Sequence, residues 1–166
     1  MAKSLKDLNC IYSQPLDDVQ SLKKYIKSLN INSTLGFYNN HYVKIDGEYQ
    51  TEIYPLPVLS FSLNRYKIDV GFEVANDVGY FAFLEICQMT QEQVLTFNFS
   101  LFENFDYYVY DTNEYLDDLY CGSIENTLSI IDKQPSDLTY SIAFEVKSIE
   151  EIKEIVDIIH NLKDQV

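Results

Sequence analysis

Two consecutive runs, VLSFSLN and YKIDVGFEV, place apolar side chains at every second position and meet at Asn64-Arg65. Leu59, Phe61 and Leu63 alternate with Ser60, Ser62 and Asn64, and Ile68, Val70, Phe72 and Val74 alternate with Lys67, Asp69, Gly71 and Glu73. A period of two sends successive side chains to opposite faces of a strand. Each run thus has one face to bury and one to leave in water, a pattern met by antiparallel neighbours and not by a helix. The middle of the chain is restricted to an antiparallel sheet.

The alternation extends in both directions. After the turn signal at 75–79, YFAFLEIC continues the meander, and upstream HYVKID and YQTEIY flank Gly47-Glu48 as a hairpin, with Asp46-Gly47 as the turn signal. Between them Tyr54-Pro-Leu-Pro57 predicts a bend or a sheet edge, because two prolines remove two ladder donors. Residues 89–102 carry two signals. Thr90 followed by Glu92 and Gln93 suits a helix start, yet Leu95, Phe97, Phe99 and Leu101 alternate. We read 94–102 as a strand, with the aromatic run FDYYVYD at 105–111 as its hairpin partner. LTYSIAFEV at 138–146 is a further strand.

Three stretches switch to helical spacing. Over about 16–29, Leu16, Val19, Leu22, Tyr25, Ile26 and Leu29 form one stripe, with Pro15 at the first turn and lysines towards the end. A short helix near 4–10 precedes it. Residues 113–133 read as helical with a break near Gly122, and 148–164 as a helix opened by a Ser148/Glu151 capping box. The expected class is α+β: an antiparallel meander sheet of five to seven strands, with the helices packed mainly on one face. With 166 residues, 46% of them hydrophobic, and no linker, the chain is expected to form a single domain over 1–166.

Several function classes drop out. No run is apolar and long enough for a membrane helix, and the N-terminal stretch lacks the apolar core of a secretory signal, so a cytoplasmic setting away from membranes is expected. Cys10, Cys87 and Cys121 are odd in number and far apart, which is not a disulfide framework. A net charge of −14 argues against nucleic acid as a partner. Its distribution is uneven. Residues 1–67 hold eight Lys/Arg and six Asp/Glu (+2), 68–132 hold thirteen acids and no base (−13), and 133–166 hold four against seven (−3).

No phosphate-binding, dinucleotide-binding, zinc-protease or nucleophile-elbow motif occurs. Asp111, Asn113 and Glu114 begin like a calcium loop, but Tyr115 and Leu116 stand where an oxygen ligand and a glycine are needed, so no metal and no cofactor is expected. Cys87 ends an apolar strand and reads as a small core residue. His160 suits a helix C-terminus, and His41 opens a strand at the surface. Glu85 lies mid-strand between apolar residues and is expected to be partly buried, with a strand-end location or a buried tyrosine partner as the plain explanation.

What remains is FENFDYYVYDTNEYLDDLY, residues 102–120, with six carboxylates, seven aromatics and no base. Glu103, Asp106, Tyr108, Tyr110, Asp111, Glu114, Tyr115, Asp117 and Asp118 are the residues expected to form an exposed acidic, tyrosine-rich surface. Carboxylates attract a basic protein over distance, and tyrosines add contact area at low entropic cost. The expectation is a non-enzymatic binding module of inhibitor, immunity or adaptor type. The alternative is a small-molecule carrier or sensor, with Phe61, Phe72, Phe83, Phe97 and Phe99 lining an apolar pocket between sheet and helices. Strand edges near Pro55 or Phe105 leave a homodimer open.

Overall fold

The structure, a computed structural model, describes residues 5–40, 43–45, 48–50, 54–75, 79–112 and 123–162. Helix α1 (Leu5–Ser28) leads into β1 (Ser33–Asn40), a small hairpin of β2 (Val43–Ile45) and β3 (Glu48–Gln50), and then β4 (Tyr54–Leu63), β5 (Tyr66–Ala75) and β6 (Gly79–Thr90). Helix α2 (Gln91–Thr96) and a 3-10 turn (Phe99–Phe102) follow, then β7 (Asp106–Asp111), α3 (Ile124–Asp132), β8 (Thr139–Val146) and α4 (Ile149–His160). Six strands form one antiparallel sheet in the order β1-β4-β5-β6-β8-β7, and β2 and β3 pair separately. The fold is α+β, built on a six-stranded antiparallel meander.

Register shows which face is buried. Phe61, Ile68, Ile86, Ile142 and Val109 are successive cross-strand partners, and all are buried. Leu22 and Ile26 of α1, Val94 of α2, Ile131 of α3 and Ile155 of α4 join them in one apolar cluster. The four α-helices of the described residues therefore pack on this face, as the alternation requires.

The β4–β5 turn sets the hydrogen-bonding phase of the whole sheet. Asn64 and Arg65 have φ of 45° and 74°, so this two-residue loop is type I′, whose twist suits a hairpin. Its closing pair, Leu63 and Tyr66, is hydrogen-bonded, and pairs alternate from there. Pro55 and Pro57 consequently turn their nitrogens towards β5, where pairing has already ended at Val58↔Gly71. That accounts for two prolines in an interior strand: locally β4 is bonded to β1 alone.

Other expectations need correction. Strand β1 was not anticipated, since only Leu35 and Phe37 mark its alternation. Helix α1 starts at Leu5 and runs through Pro15, which is interior and forgoes one i→i−4 bond. Residues 94–102 are not a strand. Thr90 caps α2 through a complete capping box with Gln93, and a 3-10 turn follows. Strand β7 therefore pairs with β8 instead of with 94–102. The second helical stretch is observed as α3 with Ser123 as its N-cap, residues 113–122 lying outside the described residues. The last helix opens as expected, with Ser148 accepting from the Glu151 amide, though Glu151 reaches back to the Lys147 amide instead of Ser148.

A polar clasp joins α1 to α4. The Tyr25 hydroxyl donates to Asp157, and the Lys153 ammonium lies 5.5 Å from the centre of the Tyr25 ring and 3.2 Å from Ser21 Oγ. The bond to Asp157, followed by burial, pushes Tyr25 up to about 12 from 10.0. A raised pKa means that the stabilisation is fully present below pH 10 and is lost as pH rises through 12. In urea titrations across that window, wild type is expected to weaken steeply and Tyr25→Phe to weaken less. Parallel curves would show that the clasp carries no proton linkage.

Candidate functional site: the helix-free face of the sheet

Among the described residues no helix packs on the other face of the sheet, and four of the sheet's acidic residues, Asp69, Glu85, Asp106 and Glu145, lie there. Asp69 on β5 is the direct cross-strand partner of Glu85 on β6, and Asp106 on β7 is the partner of Glu145 on β8. Directly opposed like charges destabilise a sheet, by roughly 0.2–1 kcal/mol a pair. Lys67 is the only Lys or Arg in the six strands, and its ammonium lies 3.3 Å from Gln88 Oε1. Asp106 and Glu145 are exposed, and Asp69 and Glu85 are half-buried.

Around these acids lies a set of partly buried polar contacts. Tyr110 donates to Glu85 Oε1 at 2.6 Å, so of the two explanations for that carboxylate the structure has the tyrosine partner. Burial first, then this bond, raises the Tyr110 pKa. The Cys87 thiol points to Asp69 Oδ2 at 3.5 Å. Burial, with the charges of Asp69 and Glu85, pushes it up to about 12, so it stays a thiol at neutral pH and is a poor nucleophile. Cys87 is thus not a core residue. It lies on the helix-free face beside a bulge, where the β6–β8 register shifts between Ile86 and Met89 and Gln88 adopts φ 53°. Next to the acids the Phe83 ring lies over Gly71, where an added Cβ would come within 2.2 Å of it.

The nine residues expected to form one acidic surface are divided. Glu103 and Asp106 are exposed, Tyr108 is 40% exposed, and Tyr110 is half-buried beside Glu85. Asp111 is a correction: it is 2% exposed and paired in register with the buried Tyr140. The reason is parity. Asp106, Tyr108 and Tyr110 share one face of β7, and Tyr107, Val109 and Asp111 share the other. Glu114, Tyr115, Asp117 and Asp118 lie outside the described residues. Asp69 and Glu145, which complete the two acid pairs, were not singled out from sequence, although each sits on the polar side of an alternating run.

The phenylalanines proposed to line a carrier pocket are likewise divided. Phe61 and Phe72 belong to the helix-covered core. Phe97 stacks on Phe102 at 5.3 Å and meets Phe99 edge-on at 5.0 Å. Phe83 is on the opposite face of the sheet, as partner of Gly71, so the five do not share one cavity. Among the described residues no group of three or more His, Cys, Asp or Glu is placed to hold a metal ion, and no helix is long and apolar enough to cross a membrane. His160 ends α4 as expected, and His41 lies outside the described residues.

No protein-family model matches this chain, and no curated protein matches it significantly. Among solved structures it is similar to a conserved hypothetical protein from Pyrococcus furiosus, over 93% of each chain, with a TM-score of 0.54 and 17% sequence identity. At that identity the likeness shows the shared α+β fold and nothing about activity.

Proposed function

We propose that the chain is a non-enzymatic protein-binding module that offers the helix-free face of its sheet to a basic partner. An inhibitor, an immunity protein or an adaptor each meets that description. The observation that carries the reading is the pair of carboxylate pairs, Asp69 opposite Glu85 and Asp106 opposite Glu145, with Lys67 as the single base in the sheet. A folded protein holds such pairs against repulsion, and a cationic partner turns the same field into attraction and faster encounter. Tyr108, exposed beside Asp106, supplies a ring with a polar tip. The proposed setting is the cytoplasm, where a free thiol such as Cys87 stays reduced.

The test is the double substitution Asp106→Asn with Glu145→Gln, at the exposed pair. Two effects of opposite sign are expected. Stability should rise by about 0.5 kcal/mol as the repulsion is relieved, while capture of basic partners should weaken, most of all at low salt. Unchanged capture and unchanged salt dependence would refute the binding role. A fall in stability would instead mark the pair as part of the structural framework.

A further inference from the structure

We propose that the outer edge of β1 is where a second copy of this chain docks, continuing the sheet through an antiparallel β1–β1 pair. This inference is independent of the acidic-face reading, because β1 and β7 stand at opposite ends of the strand order.

The backbone phase identifies the groups that would pair. With Leu63/Tyr66 hydrogen-bonded across the β4–β5 turn, alternation assigns Thr34, Gly36, Tyr38 and Asn40 to the ladder with β4. The same count predicts that Thr112 and Thr139 are bonded at the far end of the sheet, and the Thr112 amide does donate to the Thr139 carbonyl at 2.9 Å. Ser33, Leu35, Phe37 and Asn39 therefore present their N–H and C=O groups away from the sheet. Among the described residues no strand pairs with them. Leu35 is 39% exposed, one of three large apolar residues that are among those described.

Sheet edges are usually blunted by lysine, proline or a bulge. Strand β1, STLGFYNN, has none of these and no charge. A neutral edge without a charged selectivity feature suits a partner with an identical edge. Charge selects this end over the other. The first 67 residues, which include β1, carry +2, whereas residues 68–132, which include β7, carry −13. Two copies meeting at β1 keep their acidic regions apart. The two-fold register that uses all four outward residues pairs Ser33 with Asn39 and Leu35 with Phe37, and crosses at Gly36.

Sedimentation equilibrium on the full chain, from micromolar to submillimolar concentration, reads the outcome. Wild type is expected to approach the mass of two 19.4 kDa chains, and added salt should strengthen the association by screening the −14 charge of each copy. Leu35→Pro removes only an outward N–H, so it should leave the β1–β4 ladder and the thermal midpoint intact while the mass falls to one chain. Leu35→Lys is the second variant, retaining the amide and charging the edge, and should also be monomeric. Concentration-dependent protection from hydrogen exchange should appear at residues 33, 35, 37 and 39, and not at 34, 36, 38 and 40. A wild type that stays monomeric throughout, or variants that remain dimeric, would overturn the proposal.

Discussion

Replacing Asn64 by alanine should lower the unfolding free energy by about 2 kcal/mol, because one side chain serves two ends of the fold at once. Asn64 sits in the first position of the type I′ turn, at φ 45°, a conformation Asn tolerates and alanine resists. From there its Nδ2 donates to the carbonyls of Ile159 at 2.8 Å, His160 at 2.8 Å and Leu162 at 2.9 Å. Those carbonyls belong to the last turn of α4 and the residues after it; that of Ile159 also accepts from the Asn161 and Leu162 amides, so the side chain reinforces a backbone cap already in place. Two N–H groups reach three acceptors, so one is shared. Asn64→Gly separates the two contributions. Glycine adopts the turn without strain but caps nothing, so it should lose about half as much. For a chain of this length the alanine variant should melt roughly 4–8 °C lower. Equal losses for alanine and glycine would mean that the turn carries no strain, and no loss in either would mean that the α4 cap is dispensable.

Local periodicity made much of this fold readable, and its limits follow from the same physics. Strands β4, β5 and β8, α4 and the stripe Val19, Leu22 and Ile26 each announce themselves within their own residues. Residues 94–102 do not, because α2 is six residues long, too short to display a period, and depends on two capping bonds at Thr90 and Gln93. Gln91 then fixes it from outside, donating to the Ile131 and Gln134 carbonyls at the end of α3, a contact spanning 40 residues or more. Strand order is equally non-local: β8 inserts between β6 and β7, although β7 precedes it in the chain. That insertion places Glu145, which lies outside the base-free stretch 68–132, opposite Asp106, a pairing that no scan of a contiguous acidic stretch could find. Asp111 is the reverse case. Its place on the buried face follows from its parity with Val109, and a reading by composition overlooked it.

Tyr140→Phe should stabilise the protein, by about 1–2 kcal/mol, although it removes a polar group from the interior. Tyr140 is fully buried on β8, and its hydroxyl has no hydrogen-bond partner among the described residues. Burial, and then the charge of Asp111, raises its pKa. A hydroxyl taken out of water without a partner keeps its desolvation cost, whereas phenylalanine keeps the ring and its packing against the core. The gain is expected as a rise in the urea midpoint at unchanged m-value, with the thermal midpoint higher by roughly 2–8 °C. Asp111→Asn provides the control, since it removes the neighbouring charge and leaves the Tyr140 hydroxyl in place. If Tyr140→Phe were destabilising, the hydroxyl would have to be bonded in solution. Its energy would then couple to Asp111 in a double-mutant cycle, whereas an unpartnered hydroxyl predicts near-additivity.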